Sequence, residues 1–166
     1  VLWLDASQLP PTDTQISRWS DGSDGRYAAV QRQEDRRPEL LAQALHGKPV
    51  VRFRGGPWLE IPGTSQALNL GSDYTIVHVA RGVGGTLLSK GVGGKAGQFS
   101  LLSDSCFLTN GELNPQTAGR LAATGDDPAL FRVRTIAADA TALTWYIDGT
   151  AGGSYADDRH ELQSKP

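Results

Sequence analysis

The chain alternates short apolar runs with clusters of turn-forming residues, and this alternation is what most constrains its fold. The turn clusters occur at 21–25, 54–57, 125–128 and 148–149, in a sequence with 20 Gly and 9 Pro among 166 residues. The apolar runs lie at 1–4, 49–53, 58–61, 74–81, 99–102, 129–136 and 142–147. Short runs with such spacing predict strands joined by tight turns, which is typical of an all-β sandwich or barrel.

Alternation within the runs predicts which side chains face the core. Trp145 shares a face with Leu143 and Ile147, so it is predicted to be buried. The run 74–81 has no clean alternation and is predicted to be a strand covered on both faces. Apolar neighbours also favour a core position for Trp3 and Trp19.

Length and composition exclude several classes of protein. The length suits one domain spanning 1–166, and 16 basic against 18 acidic residues provide no cationic field for nucleic acid. No apolar stretch approaches the roughly 18 to 20 residues of a membrane span. The single cysteine, Cys106, excludes an intrachain disulfide and a cysteine-rich zinc site.

Seven phrases of the sequence, in order, resemble the laminin-G-like branch of the concanavalin A-like lectin/glucanase superfamily. They are LWLDAS (2–7), WSDGSDGRYA (19–28), LHGKPVVRF (45–53), WL (58–59), YTIV (74–77), LSKG (88–91) and TWYIDG (144–149). The resemblance implies a jelly-roll sandwich of two antiparallel sheets. It also implies that residues 38–45 are extended, although their composition favours a two-turn helix.

The resemblance also implies a location and a missing part. Such domains are usually bacterial and lie outside the cytoplasm, so we expect an extracellular, cell-surface or periplasmic protein. Family members usually continue through further strands beyond the turn at 148–149. We therefore expect a processed piece of a larger protein, with the closing strands supplied by another chain or by an extension, or a smaller sheet than usual.

Catalytic patterns are absent from the sequence. The glucanases of the superfamily carry carboxylates two positions apart on one strand, and no two of the 18 acidic residues have this spacing. The acidic pairs Asp35/Glu39 and Asp157/Glu161 are four apart in polar stretches and are interpreted as solvated surface. There is no GxSxG or HExxH motif. We expect the chain not to be an enzyme.

Aromatic and arginine side chains are the candidates for ligand binding. Trp58 is predicted to point outward if Leu59 and Ile61 face the core, and Tyr27 and Tyr155 join it as candidates for stacking on a sugar ring. The alternative is that these aromatic rings cap a sheet edge. The arginine candidates come as alternating pairs, Arg52 with Arg54 and Arg132 with Arg134.

These two arginine pairs permit two interpretations. If their strands are neighbours, four guanidinium groups form a strip that binds carboxylate, sulfate or phosphate. Otherwise they belong to a solvated outer face and pair with nearby acids.

A calcium site is a further candidate. Asp21, Ser23 and Asp24 offer oxygen ligands in a glycine-rich loop, and laminin-G-like domains sometimes bind calcium through loop carboxylates. The alternative is an Asx turn, in which the carboxylates bind their own backbone.

Together these observations predict a non-catalytic recognition or adhesion module of an exported bacterial protein, with a glycan or a protein as its ligand. The alternative is a structural, extrinsic piece of a larger assembly, and a glycan-cleaving enzyme is the third possibility.

Overall fold

A computed structural model shows that the protein is built from antiparallel strands. The structure describes residues 1–25, 27–62, 68, 73–82, 86–90, 98–102, 105–109, 119–122, 127, 129–139 and 141–156. The all-β prediction is confirmed, since the helical elements in these ranges are two 3₁₀ turns, Ala6–Gln8 and Glu34–Arg36. No helix in the described ranges has both the length and the apolar character needed to cross a bilayer.

The chain divides into two compact units, Val1–Leu68 and Asn69–Pro166. The first unit contains two two-stranded sheets, formed by β1 (Arg18–Ser20) with β2 (Ala28–Val30) and by β3 (Glu39–Leu45) with β4 (Lys48–Arg52). The prediction of one domain over 1–166 stays a prediction.

The second unit contains two four-stranded antiparallel sheets. One has the order β12-β11-β10-β5, where the strands are β5 (Tyr74–Ala80), β10 (Arg132–Ala138), β11 (Ala142–Ile147) and β12 (Thr150–Ala156). The other has the order β6-β7-β8-β9, from β6 (Thr86–Lys90), β7 (Gln98–Leu102), β8 (Ser105–Thr109) and β9 (Gly119–Ala122).

Residues 39–45 are extended, as the resemblance implied and against their local helix propensity. Leu40 pairs with Val51 across the β3–β4 ladder and is buried with Leu9 and Ile16. His46 and Gly47 close this hairpin with positive φ angles of 48° and 76°. Strand pairing and burial of the leucine therefore override a preference that is worth only tenths of a kcal/mol per residue.

The core of the second unit forms on one face of the β5–β10–β11 sheet. Ile136, Ala138, Leu143 and Trp145 are buried there, with Ile76 packed against them. The predicted burial of Trp145 is confirmed. The opposite face of β5 is exposed, with Val77 61% and Val79 57% accessible, so the prediction of a strand covered on both faces is wrong.

Two further predictions about aromatic residues and strands are corrected. Trp3 is 58% exposed because its segment forms no strand, and its indole lies against the backbone of Gly22. Residues 58–61 form no strand either; a single bridge joins Glu60 to Val30. Trp19 is half-buried and packs against the first core, and its indole N–H donates to the carbonyl of Asp5 at 3.0 Å.

Candidate functional site

A cleft of about 440 Å³ opens in the first unit. Its lining is mostly polar and combines charged side chains with a short glycine-proline turn: Gln15, Asp35, Arg36, Arg37, Glu39, Arg52, Arg54, Gly55, Gly56 and Pro57. This volume is in the range of small-ligand sites, which is roughly 300–1,000 Å³. The cleft contains one of the two predicted arginine pairs, Arg52 with Arg54.

Two chain segments form the walls of the cleft. One is the 3₁₀ turn Glu34–Arg36, and the other runs from the end of β4 through the turn at 54–57. Gly55 adopts φ +55°, a left-handed conformation that favours glycine, which lets the chain turn sharply there. The amide of Trp58 donates to the carbonyl of Arg36 at 3.3 Å and joins the two walls.

The side chain of Gln31 joins the two segments that form the walls. Its side chain is almost fully buried, donates from Nε2 to the carbonyl of Trp58 at 3.1 Å, and accepts at Oε1 from the amide of Gln33 at 3.0 Å. One side-chain amide therefore satisfies a backbone group on each wall. A buried amide with both ends bonded fixes local geometry, because breaking either bond would leave a polar group unsatisfied.

The four arginines of the cleft differ in their partners. Arg52 forms an ion pair with Glu39 across the β3–β4 ladder, and Arg37 donates from Nε to the carbonyl of Gln31 at 3.4 Å. The guanidinium groups of Arg36 and Arg54 form no hydrogen bond or close ion pair with any residue in the described part of the chain. The cleft thus presents two exposed guanidinium groups with unused donors.

Glu39 is held ionised by its neighbours. The hydrogen bond from Arg52 is the largest cause and lowers the pKa of this carboxyl; burial opposes it, and the charges of Arg52 and Arg54 lower the pKa further. An ionised Glu39 keeps Arg52 fixed on the wall of the cleft.

Trp58 follows the turn and lies outward, as the alternation predicted. It is 43% exposed, whereas Leu59 packs against the first core. Phe53, the residue after the end of β4, is 49% exposed. Trp58 directly follows Pro57, which lines the cleft, but is not itself among the lining residues.

The second arginine pair lies elsewhere. Arg132 and Arg134 belong to β10, which pairs with β5 and β11, whereas β4 pairs with β3. The condition for a strip of four arginines is therefore not met. Arg132 donates to Asp148 at 2.6 Å, which accords with the alternative of arginines paired with nearby acids.

Arg134 is corrected from a surface group to a buried one. It is fully inaccessible to solvent, since it shares the inward face of β10 with Ile136, and it donates to the carbonyl of Ala80 at 2.9 Å.

The loop that offered calcium ligands has its main carboxylate already bonded. Asp21 accepts from the amides of Trp3 at 2.8 Å, Ser23 at 2.9 Å and Tyr27 at 3.5 Å, and from the Ser23 hydroxyl at 2.7 Å. Burial alone would raise the pKa of Asp21, but these bonds outweigh it and lower the pKa to about 2. This is the geometry of the Asx-turn alternative, and it ties the N-terminal segment to the loop.

The remaining candidates are dispersed. Asp24 is exposed, and the half-buried ring of Tyr27 lies against Gly25 in the Asp21 loop. Tyr155 lies opposite Leu143 in the β11–β12 ladder, and its side chain is outside the described part of the chain. Within the described ranges, no three His, Cys, Asp or Glu side chains are grouped to hold a metal ion. Calcium stays a prediction.

Sequence reasoning missed two arginines that line the cleft, Arg36 and Arg37, and the buried Gln31 that joins its walls. All three come from the segment that precedes β3, which showed no strand pattern. The adjacent Arg36 and Arg37 were a visible signal, but only the tertiary fold brings them to Arg54.

No family model, curated protein or solved structure matches this chain. A functional proposal therefore rests on its own geometry.

Proposed function

We propose that the protein is a non-catalytic recognition module that binds a glycan or a protein in the cleft of the first unit. In this proposal the chain is a laminin-G-like jelly-roll domain of an exported bacterial protein. The observation that carries the proposal is the cleft itself, whose lining includes four arginines and Pro57, the residue before the exposed Trp58. Guanidinium groups supply directed hydrogen bonds, and an indole face supplies a surface for stacking.

The preorganisation of the cleft supports a binding role. Its walls are joined by a backbone hydrogen bond and by the buried side chain of Gln31, so a ligand would not have to order them. Binding energy is then available for contacts instead of for fixing loops.

Substitution of Trp58 tests the proposal. Partial burial of an indole against a ligand is worth about half of a full aromatic burial, so Trp58→Ala should weaken binding about tenfold. Trp3→Ala is the matched control, because Trp3 is also exposed in the first unit but, unlike Trp58, has no cleft-lining residue next to it in the sequence. A glycan array followed by calorimetry on the positive glycans measures this. Equal effects of the two substitutions would contradict the proposal.

The same experiment measures catalysis. Asp35 and Glu39 both line the cleft, so release of reducing ends from each bound glycan should be assayed alongside binding. Turnover that Asp35→Asn abolishes would show that the protein is a glycan-cleaving enzyme and not a non-catalytic recognition module.

A second candidate function is that of a structural subunit in a larger assembly. The outer face of the β5–β10 sheet favours it, since Val77, Val79 and Val133 are exposed side by side and Val79 is directly opposite Val133. Adjacent exposed apolar side chains are typical of protein contacts. Two results together would favour this function. A stable partner should co-purify with the wild type but not with Val77→Lys, and no ligand should bind in the cleft.

A further inference from the structure

We infer that the ligand of the cleft is an acidic polysaccharide, whose carboxylate or sulfate groups are bound by Arg36 and Arg54. This inference rests on the proposed function and narrows it to one class of ligand.

The charge balance of the cleft carries the first step. Its lining contains four arginines and two acidic residues, Asp35 and Glu39. Glu39 is already committed to Arg52, so Asp35 is the one remaining carboxylate of the lining against three guanidinium groups. Like charges gathered in one concavity repel each other, and an anionic ligand relieves that repulsion.

The partners of the arginines identify which of them meet the ligand. Arg52 donates a hydrogen bond to Glu39, and Arg37 donates one to the backbone carbonyl of Gln31. The guanidinium groups of Arg36 and Arg54 donate none to the described residues, and the two arginines belong to different walls of the cleft. Two arginines that line one cleft can each bind an anionic group bidentately, which a lysine ammonium cannot do.

The neighbouring surface favours a sugar chain over a peptide as the carrier of the anion. Trp58 is exposed and directly follows Pro57 of the cleft lining, and an aromatic face close to charged donors suits a ring that bears both C–H groups and an acid. A Cβ added at Gly55 or Gly56 would meet nothing within 4 Å, so the turn leaves open space for a flat ring.

Four matched oligosaccharides test the inference by calorimetry. They are an oligogalacturonate, its fully methyl-esterified form, a sulfated dextran oligomer and an unmodified dextran oligomer. We expect the oligogalacturonate or the sulfated dextran to bind and both uncharged forms to bind at least tenfold more weakly. Tighter binding of the oligogalacturonate would assign a carboxylate, and tighter binding of the sulfated dextran would assign a sulfate. Affinity should fall as salt rises, because the guanidinium groups are exposed.

Three single variants locate the binding. Arg36→Gln and Arg54→Gln should each weaken binding of the charged oligosaccharide about tenfold, by loss of a charge-assisted hydrogen bond. Neither side chain bonds to the described fold, so both variants should melt as the wild type does. Arg18→Gln is the control, since Arg18 is exposed on β1 in the same unit and outside the cleft, and it should change affinity less than twofold.

The outcomes separate the inference from the proposed function. Equal binding of charged and uncharged oligosaccharides that depends on Trp58 but not on Arg36 or Arg54 would overturn the inference and leave the recognition module intact. Binding of a protein in the cleft with no oligosaccharide bound would do the same. Binding that is unaffected by Trp58, Arg36 and Arg54 alike would overturn both.

Discussion

Replacing Gln31 with leucine removes the buried amide that holds the two walls of the cleft. The substitution keeps the size of the side chain but deletes a 3.1 Å bond to the Trp58 carbonyl and a 3.0 Å bond from the Gln33 amide. Each orphaned backbone group costs about 1–3 kcal/mol, and the lower figure applies here because Gln33 and Trp58 are exposed and water can reach them. The free energy of unfolding should therefore fall by about 2 kcal/mol.

Urea unfolding followed by tryptophan fluorescence measures this loss. Three of the four tryptophans, Trp3, Trp19 and Trp58, lie in the first unit, so the signal reports mainly on the unit that contains Gln31. Gln43→Leu is the control, because Gln43 is exposed on β3 and surface changes usually cost less than about 0.5 kcal/mol. Equal unfolding midpoints for the two variants would refute the role of Gln31. Ligand affinity should fall in Gln31→Leu alone.

Three other predictions concern the second core and the Asp21 loop. Ile136→Ala should lower the free energy of unfolding by about 2–4 kcal/mol because the side chain is fully buried, whereas Val133→Ala, on the exposed face of the same strand, should cost less than about 1 kcal/mol. Equal losses of unfolding free energy for the two variants in urea melts would contradict the assignment of the core to the face that carries Ile136. The pKa of Asp21 is about 2 when folded against 3.8 for an ordinary aspartate, so its stabilisation is complete above about pH 4 and disappears as the pH falls towards 2. Thermal melts between pH 2 and 5 should show a smaller acid-induced loss for Asp21→Asn, and the same loss in both proteins would contradict the assignment. Because hydrogen-bond donors already occupy both Asp21 oxygens, a chelator should leave the wild-type melting temperature unchanged, and a lower one would reinstate calcium.

The sequence predicted the class of the fold, and five of its seven apolar runs coincide with strands of the structure, because periodicity reflects burial directly. The strand at 142–147 matches β11 in both bounds, and Trp145 is buried as its alternation required. The extended segment 39–45 needed the family resemblance, since local propensity alone favoured a helix there. The predictions of burial for Trp3 and for both faces of the run 74–81 were wrong for the same reason: apolar composition does not reveal whether a second layer covers the side chain.

Half of the candidate site was predictable from the sequence. Alternation identified Arg52, Arg54 and the outward position of Trp58. The same logic grouped Arg134 with surface residues, although the inward face of its strand buries it. The contribution of Arg36 and Gln31 depends on contacts over about 20 residues or more between irregular segments, and no local pattern encodes such contacts.

Titration of the isotope-labelled protein with the oligogalacturonate, followed by NMR, tests the central claim most directly. The side-chain Nε–H signals of Arg36 and Arg54 and the indole N–H of Trp58 should shift together and saturate at one stoichiometry. The amides of Val77, Val79 and Val133 should stay unchanged, because they lie on the outer sheet face of the other unit. Shifts confined to that outer face, with the arginine and indole signals unmoved, would contradict the account.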